Sequence, residues 1–111
     1  MIIGGNLNAI FQVKSVSQNE IGEGVNIWTD VVTIKGFLDS TGTSSYEHKT
    51  KSVESTHTFI CDYDAILRAL EPKKCRCVIN NIKYEVKYID DPMELHDHLE
   101  ISLKMVGVAN E

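Results

Sequence analysis

The chain has 111 residues, of which 42% are hydrophobic and 24% are charged, and its formal net charge is -5 at pH 7. A chain of this length supports one domain with one core, and the composition is that of a globular protein rather than a disordered or fibrous one. The acidic balance gives no general attraction to nucleic acid, which Lys and Arg mainly supply. The apolar runs are too short to cross a membrane, and residues 1–6 do not resemble a secretion signal. We therefore expect a single domain, residues 1–111, in the cytoplasm.

Two long strands are predicted in the N-terminal half of the chain. Residues 7–16 and 25–38 are rich in β-branched and aromatic side chains, which favour extended structure. Gly22 and Gly24 lie between them and indicate a turn. Trp28 stands near the start of the second strand, where it is either a core residue or an exposed anchor.

A long polar segment, residues 39–54, follows the second strand and consists mainly of small polar residues without hydrophobic periodicity. Loops of this length in compact domains are usually functional or disordered. The segment is either a mobile surface hairpin or a part of the chain that becomes ordered on a partner. Lys49 and Lys51 give it a modest basic character, which Glu47 and Glu54 largely cancel.

A third strand and a short helix are predicted next. Residues 56–61 combine β-branched residues with one aromatic residue, so we expect extended structure there. In residues 64–70, Asp64 can cap a helix of one or two turns, and Pro72 ends it.

The C-terminal part of the chain predicts a hairpin and a last strand. Residues 75–79 and 83–88 are separated by Asn80 and Asn81, which tolerate the left-handed backbone of a two-residue hairpin turn. Apolar and polar side chains alternate in the second strand of this hairpin and again near residue 100, as in strands buried on one face. The predicted inward residues are Tyr84, Val86, Tyr88, Leu99, Ile101, Leu103 and Met105.

The order of these segments predicts the fold class. About six strands follow one another at short spacing, with no regular alternation of helices and strands. Such a pattern is typical of a small antiparallel barrel or sandwich. We expect a mostly β protein, a small antiparallel β-barrel of about six strands, with one short helix and a long polar loop at residues 39–55.

Catalytic motifs receive no support from the sequence. The chain contains neither a phosphate-binding loop nor a Gly-x-Ser-x-Gly nucleophile motif. Asp90 and Asp91 stand before Pro92, which favours a turn rather than a carboxylate pair for acid–base chemistry. We expect that the protein is not an enzyme and needs no cofactor.

Metal binding is the strongest chemical alternative. Cys75 and Cys77, like His96 and His98, are spaced so that each pair shares one face of an extended segment. The two cysteines also share a face with Ile79, so they fit small core residues better than ligands. His98 is predicted on the solvent-facing side of the last strand. The sequence therefore predicts no metal site, and an odd number of cysteines, three, fits reduced thiols.

The segments taken together resemble the head-completion proteins of long-tailed bacteriophages and prophages, also called stoppers or head–tail joining proteins. The resemblance covers nearly the whole chain and depends on strand patterns and turns rather than on a catalytic motif. The matching segments are, in order, a short N-terminal strand, residues 28–36, the long polar loop, residues 55–60, 73–79 and 84–86, the turn at 90–92, and residues 98–104.

The resemblance implies a small β-barrel that forms a ring in the virion neck after assembly in the host cytoplasm. Implied partners are the portal or adaptor, the tail proteins and the end of the packaged double-stranded DNA, and the free protein is expected to be a monomer. A long loop from each subunit would close the DNA channel. The residues at the place of that loop are Ser40, Thr41, Gly42, Thr43, Ser44, Ser45, Tyr46, Glu47, His48, Lys49, Thr50, Lys51, Ser52, Val53, Glu54 and Ser55.

Two alternatives to this role stay open at the level of sequence. The chain fits a tail terminator or another neck or tail component, in which the loop contacts the tail tube. It also fits a small barrel that binds single-stranded nucleic acid through aromatic side chains and a basic groove.

Overall fold

Six antiparallel strands close into a barrel in the computed structural model, which describes residues 4–5, 7–18, 20–40 and 55–108. The strands are β1 (Leu7–Gln18), β2 (Gly24–Ser40), β3 (His57–Asp62), β4 (Cys75–Ile79), β5 (Ile82–Asp90) and β6 (His98–Val108). One helix, α1 (Ala65–Arg68), and 3-10 turns at Pro72–Lys74 and Pro92–Glu94 connect them. Around the barrel the order is β1, β2, β3, β6, β5 and β4, and β4 pairs again with β1. The predicted fold class is therefore confirmed.

The core contains side chains from five strands and from α1. The buried hydrophobic residues are Ala9, Phe11, Phe59, Cys61, Leu67, Cys75, Cys77, Ile79, Tyr84, Val86, Ile89, Leu99, Ile101 and Leu103. Two predicted inward residues are not among them, since Tyr88 is 41% exposed and Met105 is 50% exposed. The register between β5 and β6 shifts beside each of them. A bulge moves the following side chain to the other face of a strand, which simple alternation does not reveal.

Local turn chemistry agrees with the sequence at two connections. Asn80 and Asn81 have positive φ angles of 51° and 67° and form the tight turn between β4 and β5. The Asp64 carboxylate accepts a hydrogen bond from the Leu67 backbone N–H at 3.0 Å and so caps α1.

In the described part of the chain no helix has the length and apolar character needed to span a membrane.

The hairpin of β1 and β2 extends beyond the barrel. β1 pairs with β2 as far as Gln18, but it pairs with β4 only between Ala9 and Val13. β2 pairs with β3 only from Gly36 onward. The outer part of the hairpin therefore projects as a two-stranded arm, residues 14–18 and 24–28.

Candidate functional site

The predicted loop leaves the barrel between two paired neighbours, β2 and β3. β2 continues to Ser40, two residues beyond the predicted strand end, because His57 of β3 supplies a pairing partner there. Residues 41–54 lie outside the described part of the chain. On the return side, Thr56 donates its backbone N–H to the Leu103 carbonyl at 2.8 Å, and its hydroxyl accepts from the Met105 N–H at 2.8 Å. The base of the loop is thus fixed to β3 and β6.

An aromatic contact also connects the loop base to β5, the next strand but one around the barrel. The ring of His57 meets that of Tyr84 edge to face, with centroids 5.3 Å apart. Tyr84 is buried on β5, and burial, together with the nearby Cys77 thiol, raises the pKa of its phenol. The phenol is therefore neutral at physiological pH and acts as a packing surface beside the loop base.

A basic groove of about 460 Å³ lies where the arm and β1 meet β4, β5 and the first 3-10 turn. Of the residues that the structure describes, one acidic residue, Glu85, lines it. Its basic lining residues are Lys14, Lys73, Arg76, Lys83 and Lys87. These five are concentrated on one surface of a chain that is acidic overall.

Arg76 is the most firmly positioned cation of the groove. Its guanidinium lies 4.4 Å from the centre of the Trp28 ring, and its Nε donates to Gln12 Oε1 at 2.6 Å. Gln12 in turn donates from Nε2 to Asp30 Oδ1 at 2.7 Å. This chain of contacts crosses β2, β1 and β4. Trp28 is consequently a half-buried residue that supports Arg76, neither a core residue nor a fully exposed anchor.

The segment after β5 forms a turn organised by Asp91. The Asp91 carboxylate is almost fully buried, accepts the His96 backbone N–H at 3.0 Å, and contacts His96 Nδ1 and, at 3.8 Å, Arg68 Nε. Met93, Glu94 and His96 have positive φ angles. Burial opposes ionisation of Asp91, but the hydrogen bonds from His96 and the charges of His96 and Arg68 lower its pKa. The turn predicted at these aspartates is confirmed.

We expect the stability of the protein to depend on the ionisation of Asp91. Because its folded-state pKa is lowered, the ionised carboxylate stabilises the fold above its ordinary pKa of about 3.9, and this stabilisation disappears as the pH falls below that value. Urea unfolding should show a smaller acid-induced loss of stability in Asp91→Asn than in the unmodified protein. Asp90→Asn, a change at the neighbouring carboxylate, is the control. Identical acid profiles for Asp91→Asn and the unmodified protein would contradict the assignment.

The three cysteines are core residues. Cys61, Cys75 and Cys77 are buried as free thiols, as the sequence predicts for the last two. Burial, reinforced by Asp62 and Asp64, raises the pKa of Cys61 to about 12, and burial also raises the pKa of Cys77. Such thiols are not thiolates at physiological pH and are poor metal ligands.

The histidines of the candidate metal motif do not converge on a common point. His96 contacts Asp91, whereas His98 Nε2 lies 3.0 Å from a Glu100 carboxylate oxygen. Within the ranges that the structure describes, His, Cys, Asp and Glu side chains form no group of three or more that could hold a metal ion.

The fold is similar to the solution structure of protein SF1141 from Shigella flexneri 2a. The two chains superpose with a TM-score of 0.68 over 94% of this chain and 95% of that chain, at 12% sequence identity. At this identity the likeness shows a common fold. Among curated proteins, no sequence matches the chain.

A family model assigns the class of protein. The model described as phage head completion protein matches residues 6–106, nearly the whole chain and every strand of the barrel but the last two residues of β6. A match of this extent defines a structural component of the phage particle, of the class that connects head and tail in the neck. The chain belongs to the phage head completion protein family.

Proposed function

We propose that this protein joins the capsid portal or adaptor to the tail and closes the DNA channel with residues 40–55. The observation that carries the proposal is the position of this segment in a chain of the head completion family. The segment starts at Ser40, the last residue of β2, and is followed by β3, which starts at His57. Ser40 and His57 pair with each other in the ladder between β2 and β3. A segment inserted at such a point joins two neighbouring strands and does not interrupt the strand order of the barrel.

The loop base suits a gate because it is paired or hydrogen-bonded to the barrel on both sides. Ser40 ends a strand paired with β1 and β3, and Thr56 is hydrogen-bonded to β6. The described strands therefore close the barrel without residues 41–54. Ordering a chain segment costs about 1 kcal/mol or more per residue, so contacts among neighbouring loops must offset this cost. The gate then forms where subunits are held together.

A ring of subunits supplies that arrangement. Repetition of one contact between unlike surfaces closes a ring when the rotation between neighbours is suitable. Subunits held on a portal or adaptor bind each other at a high effective concentration, so weak contacts are sufficient. We infer that the free protein is a monomer in the host cytoplasm and joins the ring during assembly. In this role it is a structural protein without catalysis or a cofactor.

Shortening the loop tests the gate. In the test variant, residues 41–54 are replaced by Gly-Asn, while Thr56 keeps its hydrogen bonds to β6. We expect normal folding by circular dichroism and urea unfolding, because the described ladder is unchanged. Phage particles made with this variant should carry tails but lose packaged DNA, measured by electron microscopy and nuclease protection.

Two further samples distinguish a role in joining the head to the tail from a role in closing the DNA channel. Particles that lack the protein should be tailless heads that lose DNA. Addition of the purified protein should restore tail attachment and DNA retention. Particles with the shortened loop that retain DNA as well as unmodified ones would overturn the gate while leaving the joining role. Normal tailed particles in the absence of the protein would overturn both.

A further inference from the structure

The groove concentrates positive charge in a way that the overall composition conceals. Among the described residues, five basic residues and one acidic residue line it, a local excess of four positive charges in a chain of net charge -5. Glu85 pairs with Lys87 at 2.9 Å. Among the described residues, no carboxylate forms an ion pair with Lys14, Lys73 or Lys83. The groove therefore has unneutralised cations that repel one another unless an anion lies between them.

The position of Arg76 distinguishes the groove from an ordinary solvated surface. A free surface arginine loses side-chain entropy when it is held in one conformation. Here Trp28 supports the plane of the guanidinium and Gln12 fixes its Nε, while Asp30 fixes Gln12. A planar cation that is held in place by these contacts suits a phosphate or carboxylate ligand.

The preponderance of lysine favours phosphate over a protein partner. Four of the five cations are lysines, and lysine is depleted in protein–protein interfaces, where arginine is enriched. Lysines grouped around an arginine are instead common where a protein contacts a nucleic-acid backbone. We propose that the groove binds the phosphate backbone of DNA. This inference rests on the proposed function for its choice of DNA as the polyanion, and it adds a DNA contact on the barrel wall, separate from the loop.

Direct binding measurements test this proposal without a phage particle. The full-length protein is titrated into a labelled DNA duplex of about 30 base pairs, and fluorescence anisotropy is recorded from about 20 to 200 mM salt. With about four phosphates neutralised, the logarithm of the affinity should fall with the logarithm of salt concentration with a slope of about -3.6. Absence of binding at the lowest salt concentration would overturn the proposal.

Matched lysine variants locate the binding. The double variant Lys73→Gln/Lys83→Gln removes two groove cations, and we expect at least a tenfold loss of affinity and a salt slope reduced by about 1.8. The control Lys74→Gln/Lys35→Gln removes the same charge outside the groove, since Lys74 pairs with Glu71 and neither residue lines the groove. Its affinity should change less than twofold. Equal losses in the two variants would overturn the groove as the site.

A neutral variant tests the positioning of Arg76. Gln12→Ala removes the partner of Arg76 Nε and leaves every charge in place. We expect an affinity several-fold lower with an unchanged salt slope, because the cation remains but is no longer held. An unchanged affinity would contradict the inference that Gln12 positions Arg76 for binding.

Two remaining measurements distinguish the groove from the loop and DNA from polyanions in general. The loop-shortened variant should bind DNA as the full chain does, and loss of binding in that variant would assign the DNA contact to the loop instead. A polyglutamate peptide of matched charge should bind at least tenfold more weakly than DNA, and equal binding would overturn DNA as the ligand. None of these results depends on whether the protein closes the channel in the particle, so failure of one proposal leaves the other testable.

Discussion

Phe59→Ala should destabilise the protein by about 3–5 kcal/mol, the range observed for truncation of a large buried aromatic residue. The Phe59 side chain is fully buried on β3 and packs edge to face against Phe11 on β1, with ring centroids 6.1 Å apart. These two strands are not neighbours in the sheet, so the contact crosses the barrel interior. Truncation removes this contact and leaves a cavity. Urea unfolding followed by circular dichroism measures the loss.

Phe37 provides a matched control for this variant. It lies on β2, the neighbour of β3, and is 46% exposed. Phe37→Ala should cost about 1 kcal/mol or less, because exposed positions contribute little to stability. Similar losses for the two phenylalanines would contradict the placement of the core inside the barrel.

Gly36→Ala should cost about 3 kcal/mol, although the change adds a single methyl group. Gly36 is buried on β2, and a Cβ there would lie 2.5 Å from the Ile60 carbonyl oxygen and 2.6 Å from the tip of the Phe59 ring. Gly5 also approaches the Gly36 backbone so closely that its own Cβ would lie 2.3 Å from Gly36 Cα. The first of these contacts involves backbone, which cannot move without breaking the β2–β3 ladder. Thermal or urea unfolding measures the effect.

Two variants verify the cause of this loss. Gly24→Ala, in the same strand, places its Cβ 3.5 Å from a Val16 methyl group, an ordinary contact, so we expect a change within about 0.5 kcal/mol. Combining Gly36→Ala with Phe59→Leu removes the ring tip but leaves the Ile60 carbonyl. The double variant should therefore still be less stable than Phe59→Leu alone. Equal stability of these two variants would show that the backbone contact is unimportant.

Much of the barrel could be predicted because short-range patterns determine it. Alternation in β6 correctly predicts that Leu99, Ile101 and Leu103 face inward, and the two asparagines predict the hairpin between β4 and β5. The closure of β4 on β1 and the bulges beside Tyr88 and Met105 could not be predicted in this way. They depend on pairing between segments far apart in sequence, which local periodicity does not encode.

The groove could not be predicted for the same reason. Lys14, Arg76 and Lys83 belong to three strands, and their proximity follows from pairing of β4 with both β1 and β5. The alternation predicts that Arg76 and Lys83 point away from the core, but it does not show that they share a surface. The gate assignment for residues 40–55 depends on family resemblance, and it stays a prediction because residues 41–54 lie outside the described part of the chain.

The place of β6 in the barrel has a consequence for biosynthesis. β6 pairs with β3 and β5, and it supplies three residues of the core, although it follows the other five strands in chain order. Until it leaves the ribosome, β3 and β5 each have an unpaired edge and the interior is open. The barrel therefore closes only after β6 has been translated, with the slow kinetics that non-local strand pairing imposes. A chain whose β6 has not yet emerged therefore cannot present the finished surface of a subunit.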